Sequence, residues 1–380
     1  MADPADLPEP DRIEGAPHPR ETQHLYGHAQ AEASFLDAFN TGRLHHAWLI
    51  TGPRGTGKAT LAWRLARFLR AQRPAGGQGL FADPPTAQGT LDIPENHPVM
   101  HQARALSEPG IFLLRRGPRE KPHEDKLAAD ILVKEVRRMR EFFGLTVVDG
   151  GRRVVIVDAA DEMNPQAANA LLKSLEEPPA GTVFLLVSHQ PNRLLATIRS
   201  RCRELRLGPL APDDLARALD AAGEPPAPEQ AAALADLAGG SVGEALRLMH
   251  LGGLAIYRDI VAIFETAPQY DRSRAIALAT SAAGAANAPR YELILRLIEL
   301  FLARLARTGA GHPPATEAAP GEATLLARLS PDIQAARRWA TLQQELSARA
   351  EHGRSVNLDP AALILDMIFT INETASDKVA

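Results

Sequence analysis

Residues 52–60, GPRGTGKAT, place Gly52, Gly57 and Lys58 at the G-x-x-x-x-G-K spacing of a phosphate-binding loop. Gly55 and Thr56 lie inside the loop; Ala59 and Thr60 follow the lysine. Such a loop turns successive backbone N–H groups onto phosphate oxygens at a helix N-terminus, and its lysine adds a point charge. The next residue is ordinarily Ser or Thr, whose hydroxyl ligates the magnesium that neutralises charge during phosphoryl transfer. Ala59 has no hydroxyl. Thr60 is displaced by about 100° around the helix axis and is no direct substitute. A glycine-rich turn that only packs a strand onto a helix is the alternative reading.

Hydrolysis also needs a second strand that ends in a metal-binding Asp, usually followed by a Glu that activates water. VVIVDAADEMN supplies Asp158, but Ala159 fills the next position. Asp161 and Glu162, three and four residues past the strand, read as the start or cap of the following segment. A third stretch, IRSRCREL (198–205), carries Ser200, Arg201 and Cys202. From spacing alone Arg201 reads as a solvated arginine. Cys202 has no histidine base beside it and reads as a small packing residue.

The elements that must position these groups are legible in outline. HAWLITG (46–52) is a short apolar run ending in glycine, the pattern of a buried parallel strand. ATLAWRLARFLRAQ follows as an amphipathic helix with Leu61, Leu65, Phe68 and Leu69 on one side. ILVKEVRRMREFFGL (131–145) predicts a helix, RRVVIVDAADEMN (152–164) opens as a strand, and PQAANALLKSLEEPP (165–179) is a helix stopped by two prolines. TVFLLVSHQ (182–190) is a third strand. Strands alternating with helices predict an α/β sandwich around a parallel sheet. From about residue 210 only alanine- and leucine-rich helices follow, interrupted by a Pro/Gly/Ala-rich loop at 308–322.

These stretches together resemble the delta-prime family of bacterial DNA polymerase III clamp-loader subunits, within the AAA+ superfamily. The matching segments are GHAQAEASFLDAFNTGRLHHAWLITGPRGTGK, NPQAANALLKSLEEPPAGTVFLLVSHQPNRLLATIRSRCRELRL and NLDPAALILDMIF, so the resemblance runs from about residue 22 to 372. It implies that Arg201, in the Ser-Arg-Cys motif, is an arginine finger reaching the γ-phosphate of ATP held by a neighbouring subunit. A planar, permanently charged guanidinium suits that task. In the resemblance Ser200 and Cys202 are structural neighbours of the finger. The degenerate nucleotide site would comprise Gly52, Gly55, Thr56, Gly57, Lys58, Ala59, Thr60 and Asp158, holding ATP or ADP without hydrolysis. Active members place an arginine that senses their own nucleotide where this chain has Gly243, in GGSVGEALRL. Ser188 and His189 correspond to the family's polar γ-phosphate sensor.

The implied architecture is a disordered leader (1–21), an α/β AAA+ P-loop core with a parallel sheet flanked by helices (22–206), a small helical lid (207–254) and an all-α collar domain (255–380). Implied partners are the motor (gamma/tau) and delta subunits, with the sliding clamp and primer-template DNA reached through the complex. The rival is an ATP-hydrolysing gamma/tau-like motor, against which Ala59, Ala159 and Gly243 count. A stand-alone DNA-binding protein is disfavoured by a net charge of −4 and the lack of a groove-reading motif.

Composition agrees with a cytoplasmic protein. There is one cysteine, no secretory h-region and no apolar run of membrane-span length. Many clamp-loader subunits carry a four-cysteine zinc module after the loop, whereas this chain has no cysteine there, so no zinc and no other metal is expected. His97 and His101 are separated by Pro98 and lack further ligands. His45 and His46 read as structural. Arg137, Arg138 and Arg140 could face DNA or an acidic neighbour, a solvated face being the commoner role.

Overall fold

Val, Ile, Leu and Phe without polar alternation make strands that are buried on both faces, and this is what the sheet shows. In the computed structural model the described residues are 9, 12, 16–72, 87–119, 127–144 and 151–376. They form two units, Met1–Gly223 and Glu224–Ala380. The first contains, in chain order, α1 (Ala29–Asn40), β1 (Ala47–Thr51), α2 (Lys58–Ala71), α3 (Pro98–Arg104), β2 (Ile111–Leu114), α4 (Val133–Gly144), β3 (Arg153–Val157), α5 (Pro165–Glu176), β4 (Thr182–Ser188), α6 (Ala196–Arg199), β5 (Arg203–Arg206) and α7 (Pro212–Ala221). All pairings in the five-stranded sheet are parallel, in the order β2-β3-β4-β1-β5.

Side chains alternate between the faces of a strand, so the sheet feeds two cores. Trp48, Ile50, Val154, Ile156 and Leu185 pack with α1 and α2 through Phe35, Leu61 and Leu65. Leu49, Val155, Val157, Phe184 and Leu186 pack with α4 and α5 through Met139 and Leu171. This is the α/β core with a parallel sheet flanked by helices that the sequence predicts, with two strands more than the three expected. The missed strands are β2, a four-residue run, and β5, an edge strand in which only Leu205 is buried.

Helix α2 also departs from expectation. Its Arg64, Arg67 and Arg70 are buried along with its leucines. Arg64 and Arg67 grip main-chain carbonyls of a strap that precedes α1. Arg67 donates from Nη1 to Arg20 O at 2.5 Å and from Nη2 to Thr22 O at 2.7 Å. Arg64 donates to Gln23 O and pairs with Glu32 at 2.8 Å. Arg70 pairs with buried Glu108 at 2.9 Å and donates to Arg152 O at 2.8 Å. Residues 16–21, placed by the sequence in a disordered leader, are thus packed, and His18 is fully buried. Most of that leader, with residues 73–86 and 120–126, lies outside the described residues.

The second unit is helical throughout: α8 (Pro228–Ala238), α9 (Val242–His250), α10 (Gly253–Phe264), α11 (Arg272–Thr280), α12 (Ala288–Gly309), α13 (Glu322–Leu329), α14 (Ile333–Ser355) and α15 (Pro360–Ser376). A buried polar cluster ties it together. Arg304 on α12 pairs with Glu322 on α13 at 2.6 Å and with Asp236 on α8. Tyr257 on α10 donates to Glu322 at 2.5 Å, and Ala318 N does so at 2.7 Å, anchoring the 308–322 loop. The Arg304–Asp236 pair, with Arg296–Glu244 at 3.0 Å, spans residue 254, where the sequence places a domain boundary. Along the chain the two compact units meet after α7, at 223/224.

Candidate functional site

The loop between β1 and α2 is shaped by its glycines. Gly52 has φ +144°, and a Cβ there would lie 2.1 Å from the carbonyl oxygen of Leu207, which follows β5. Gly57, the N-cap of α2, has φ +93° and faces Leu25 of the strap. The loop is braced internally: Thr56 donates from Oγ1 to Pro53 O at 2.9 Å, and His28 donates from Nε2 to Thr56 O at 2.8 Å. His28 is a loop residue that sequence reasoning missed, because nothing in its spacing links it to the motif. Lys58 opens α2, is only 3% exposed, and turns its ammonium onto Pro53 O. Burial pushes its pKa down to about 8, against the pull of Asp158 and Asp161. Ala59 and Thr60 sit half-buried in the first turn of α2.

Because the sheet is parallel, the C-terminal ends of β1, β3 and β4 share one edge. Asp158 follows β3 there and is buried, with Ala159 buried beside it. Asp161 accepts from His189 N at 3.0 Å and Gln190 N at 3.1 Å, so it ties the end of β3 to the end of β4. Glu162 pairs with Arg116 at 2.8 Å, and burial holds its carboxyl above the usual range. Ser188, opposite Thr51 in register, is fully buried and its hydroxyl has no hydrogen-bond partner among the described residues. Burial, helped by Lys58, pushes His189 down to about 4. Its ring is therefore neutral near pH 7.

These residues fit a polyphosphate. The glycines leave the space a Cβ would fill, the helix N-terminus and buried lysine supply positive charge, and Ser188 offers an unused buried hydroxyl. They fit a phosphate-bound magnesium less well, since position 59 lacks an oxygen ligand. Among the described residues no three His, Cys, Asp or Glu side chains gather as metal ligands. His97 caps α3, its Nδ1 accepting from Val99 N at 3.3 Å. Gly243 falls in the first turn of α9, in the second unit.

Arg201 lies elsewhere. It follows α6 and precedes β5 by two residues, and β5 begins opposite Trp48, near the start of β1. The phosphate loop leaves the far end of β1. Five strand residues, about 17 Å at the usual rise, separate the two, more than an arginine side chain spans. Arg201 donates from Nη1 to Thr197 O at 3.0 Å, and its Nη2 pairs with Glu176 of α5 at 2.9 Å. Ser200 donates to Thr197 O at 3.1 Å. Cys202 packs against the α4–α5 core, where burial pushes its thiol up to about 12 and leaves it protonated. His45 and His46 stack with centroids 4.4 Å apart, and His46 donates from Nε2 to Leu175 O at 3.1 Å.

The family model described as DNA polymerase III, delta subunit, matches residues 27–211. The DNA polymerase III subunit delta' of Pseudomonas aeruginosa is 43% identical over 157 residues, 41% of each chain. That of Escherichia coli is 35% identical over 174 residues, 45% of each. DNA polymerase III subunit gamma of Buchnera aphidicola is 28% identical over 235 residues, 61% of this chain and 58% of that one. The chain thus spans less than half the length of the delta' relatives it matches. Residues 27–211, which hold the phosphate loop, the parallel sheet and Arg201, are thus similar to the DNA polymerase III delta-prime family.

Proposed function

We propose that this chain is a non-hydrolysing clamp-loader subunit of DNA polymerase III in the cytoplasm. It gives Arg201 in trans to ATP bound by a gamma/tau-type neighbour and helps to load the sliding clamp on primed DNA. One observation carries the reading: the phosphate loop and Arg201 lie on opposite edges of one parallel sheet, so Arg201 serves a phosphate held by another chain. A guanidinium there stabilises charge on the transferring phosphoryl group.

On this reading Gly52, Gly55, Thr56, Gly57 and Lys58 retain ATP or ADP without hydrolysing it. The missing hydroxyl at Ala59 and the missing carboxylate at Ala159 support that role. Residues 207–254 act as a lid and 255–380 as a collar joining the ring, whose other members are motor and delta subunits. No helix among the described residues is long and apolar enough to cross a membrane.

The test is DNA- and clamp-stimulated ATPase of the reconstituted loader with wild-type chain or Arg201→Ala. Turnover should fall by about 10³ with assembly intact; unchanged turnover refutes the finger. The resemblance to gamma favours a second reading, a motor that hydrolyses ATP itself. Turnover by the purified chain alone, with magnesium, would establish it.

A further inference from the structure

The geometry points to Glu176 as a positioning residue for Arg201: its carboxylate holds the guanidinium in the pose that meets the neighbouring subunit's γ-phosphate. This deepens the proposal above and rests on it. Glu176 is the last residue of α5, followed by Glu177 and two prolines that end the helix. An acidic side chain is unfavourable there, because the helix C-terminus already presents unsatisfied carbonyls and the negative end of the macrodipole. Local helix stability does not explain the residue; its contact does. Oε1 lies 2.9 Å from Arg201 Nη2, while Arg201 Nη1 is held by Thr197 O at 3.0 Å. Two fixed acceptors thus take two of the five guanidinium N–H groups. Three remain for a phosphate.

The carboxylate is itself held in place. His46, from the residue before β1, donates to Leu175 O and fixes the last turn of α5. Asn164 accepts from Ala167 N at 2.8 Å and caps the same helix at its other end. The pair is half-exposed, with side chains 36% and 44% accessible, so its attraction contributes little to folding. What it supplies is orientation. A free arginine samples many rotamers, and confining it before the phosphate arrives removes that loss from the transition state.

The test uses the reconstituted loader with primed DNA and clamp, measuring kcat and KM for ATP. Glu176→Ala should lower stimulated kcat about tenfold, leaving KM for ATP, assembly and thermal unfolding unchanged. Glu176→Gln, which keeps an acceptor oxygen toward Nη2, should recover most of the rate. In an Arg201→Ala background Glu176→Ala should cause no further loss, since its effect runs through the arginine. If Arg201→Ala lowers turnover while Glu176→Ala leaves it unchanged or raises it, the positioning role is wrong and the finger stands. A further loss in the double variant also overturns it. If Arg201→Ala itself is silent, the in-trans reading fails first.

Discussion

The two edges of the sheet in the first unit are built to different standards. At the C-terminal edge the phosphate loop is buried and braced by Thr56, His28 and Lys58, and Gly52 packs backbone to backbone against Leu207. At the N-terminal edge Arg201 is half-exposed and held by one carboxylate and one carbonyl. The loop edge has the shape of a phosphate cradle, with no hydroxyl at 59 and no carboxylate at 159. The arginine edge, where the proposed finger sits, contributes little to shape. Substitutions should therefore act on folding at one edge and on a partner's activity at the other.

The largest stability effect should come from Gly52→Ala. Its Cβ would meet the Leu207 carbonyl, and its φ is one that alanine rarely adopts. We expect a loss on the order of 3 kcal/mol in the first unit, read from thermal or urea unfolding. A loss within about 1 kcal/mol would mean the loop is not a structural element.

Next comes pH. On the proposed reading Lys58 binds an anion as its ammonium form, and in the free protein it deprotonates at about 8. Affinity for tripolyphosphate, measured calorimetrically, should fall about tenfold per unit as pH rises above 8. A flat profile to pH 9 would place the ammonium elsewhere. Stability moves the opposite way: unfolded lysine keeps its proton to about 10.4, so stability rises with pH between the two values. Lys58→Met should abolish that rise.

Smaller still, Arg201→Ala should change unfolding by less than about 1 kcal/mol, because its ion pair is solvated. A larger change would make the arginine edge structural and erase the contrast. Least of all, Ser188→Ala should shift stability by no more than about 0.5 kcal/mol, since its buried hydroxyl has no partner among the described residues. Weakened tripolyphosphate binding in the same variant would mark that hydroxyl as a ligand group.

Most of the loop was legible because its signal is local. Gly52, Gly57 and Lys58 are six residues apart at most, and β1, β3 and β4 announce themselves as apolar runs. Strand β5 did not, since RELR at a sheet edge exposes three of its four residues. The role of Asp161 was equally hidden. It caps amides 28 residues away, a pairing that only the strand order creates. The burial of Arg64 and Arg67 was hidden for a related reason, since their partners are strap carbonyls 41 to 47 residues earlier in the chain. Glu176 resembles any charge at a helix end until the fold brings Arg201 to it.

The strap carries a consequence for synthesis on the ribosome. Residues 20–23 leave the exit tunnel before the arginines that will hold them, which lie 41 to 47 residues later in the chain. At about 5–20 residues per second the carbonyls wait several seconds, solvated, for α2 to emerge. The strap therefore docks only once α2, and with it the phosphate loop, has been made.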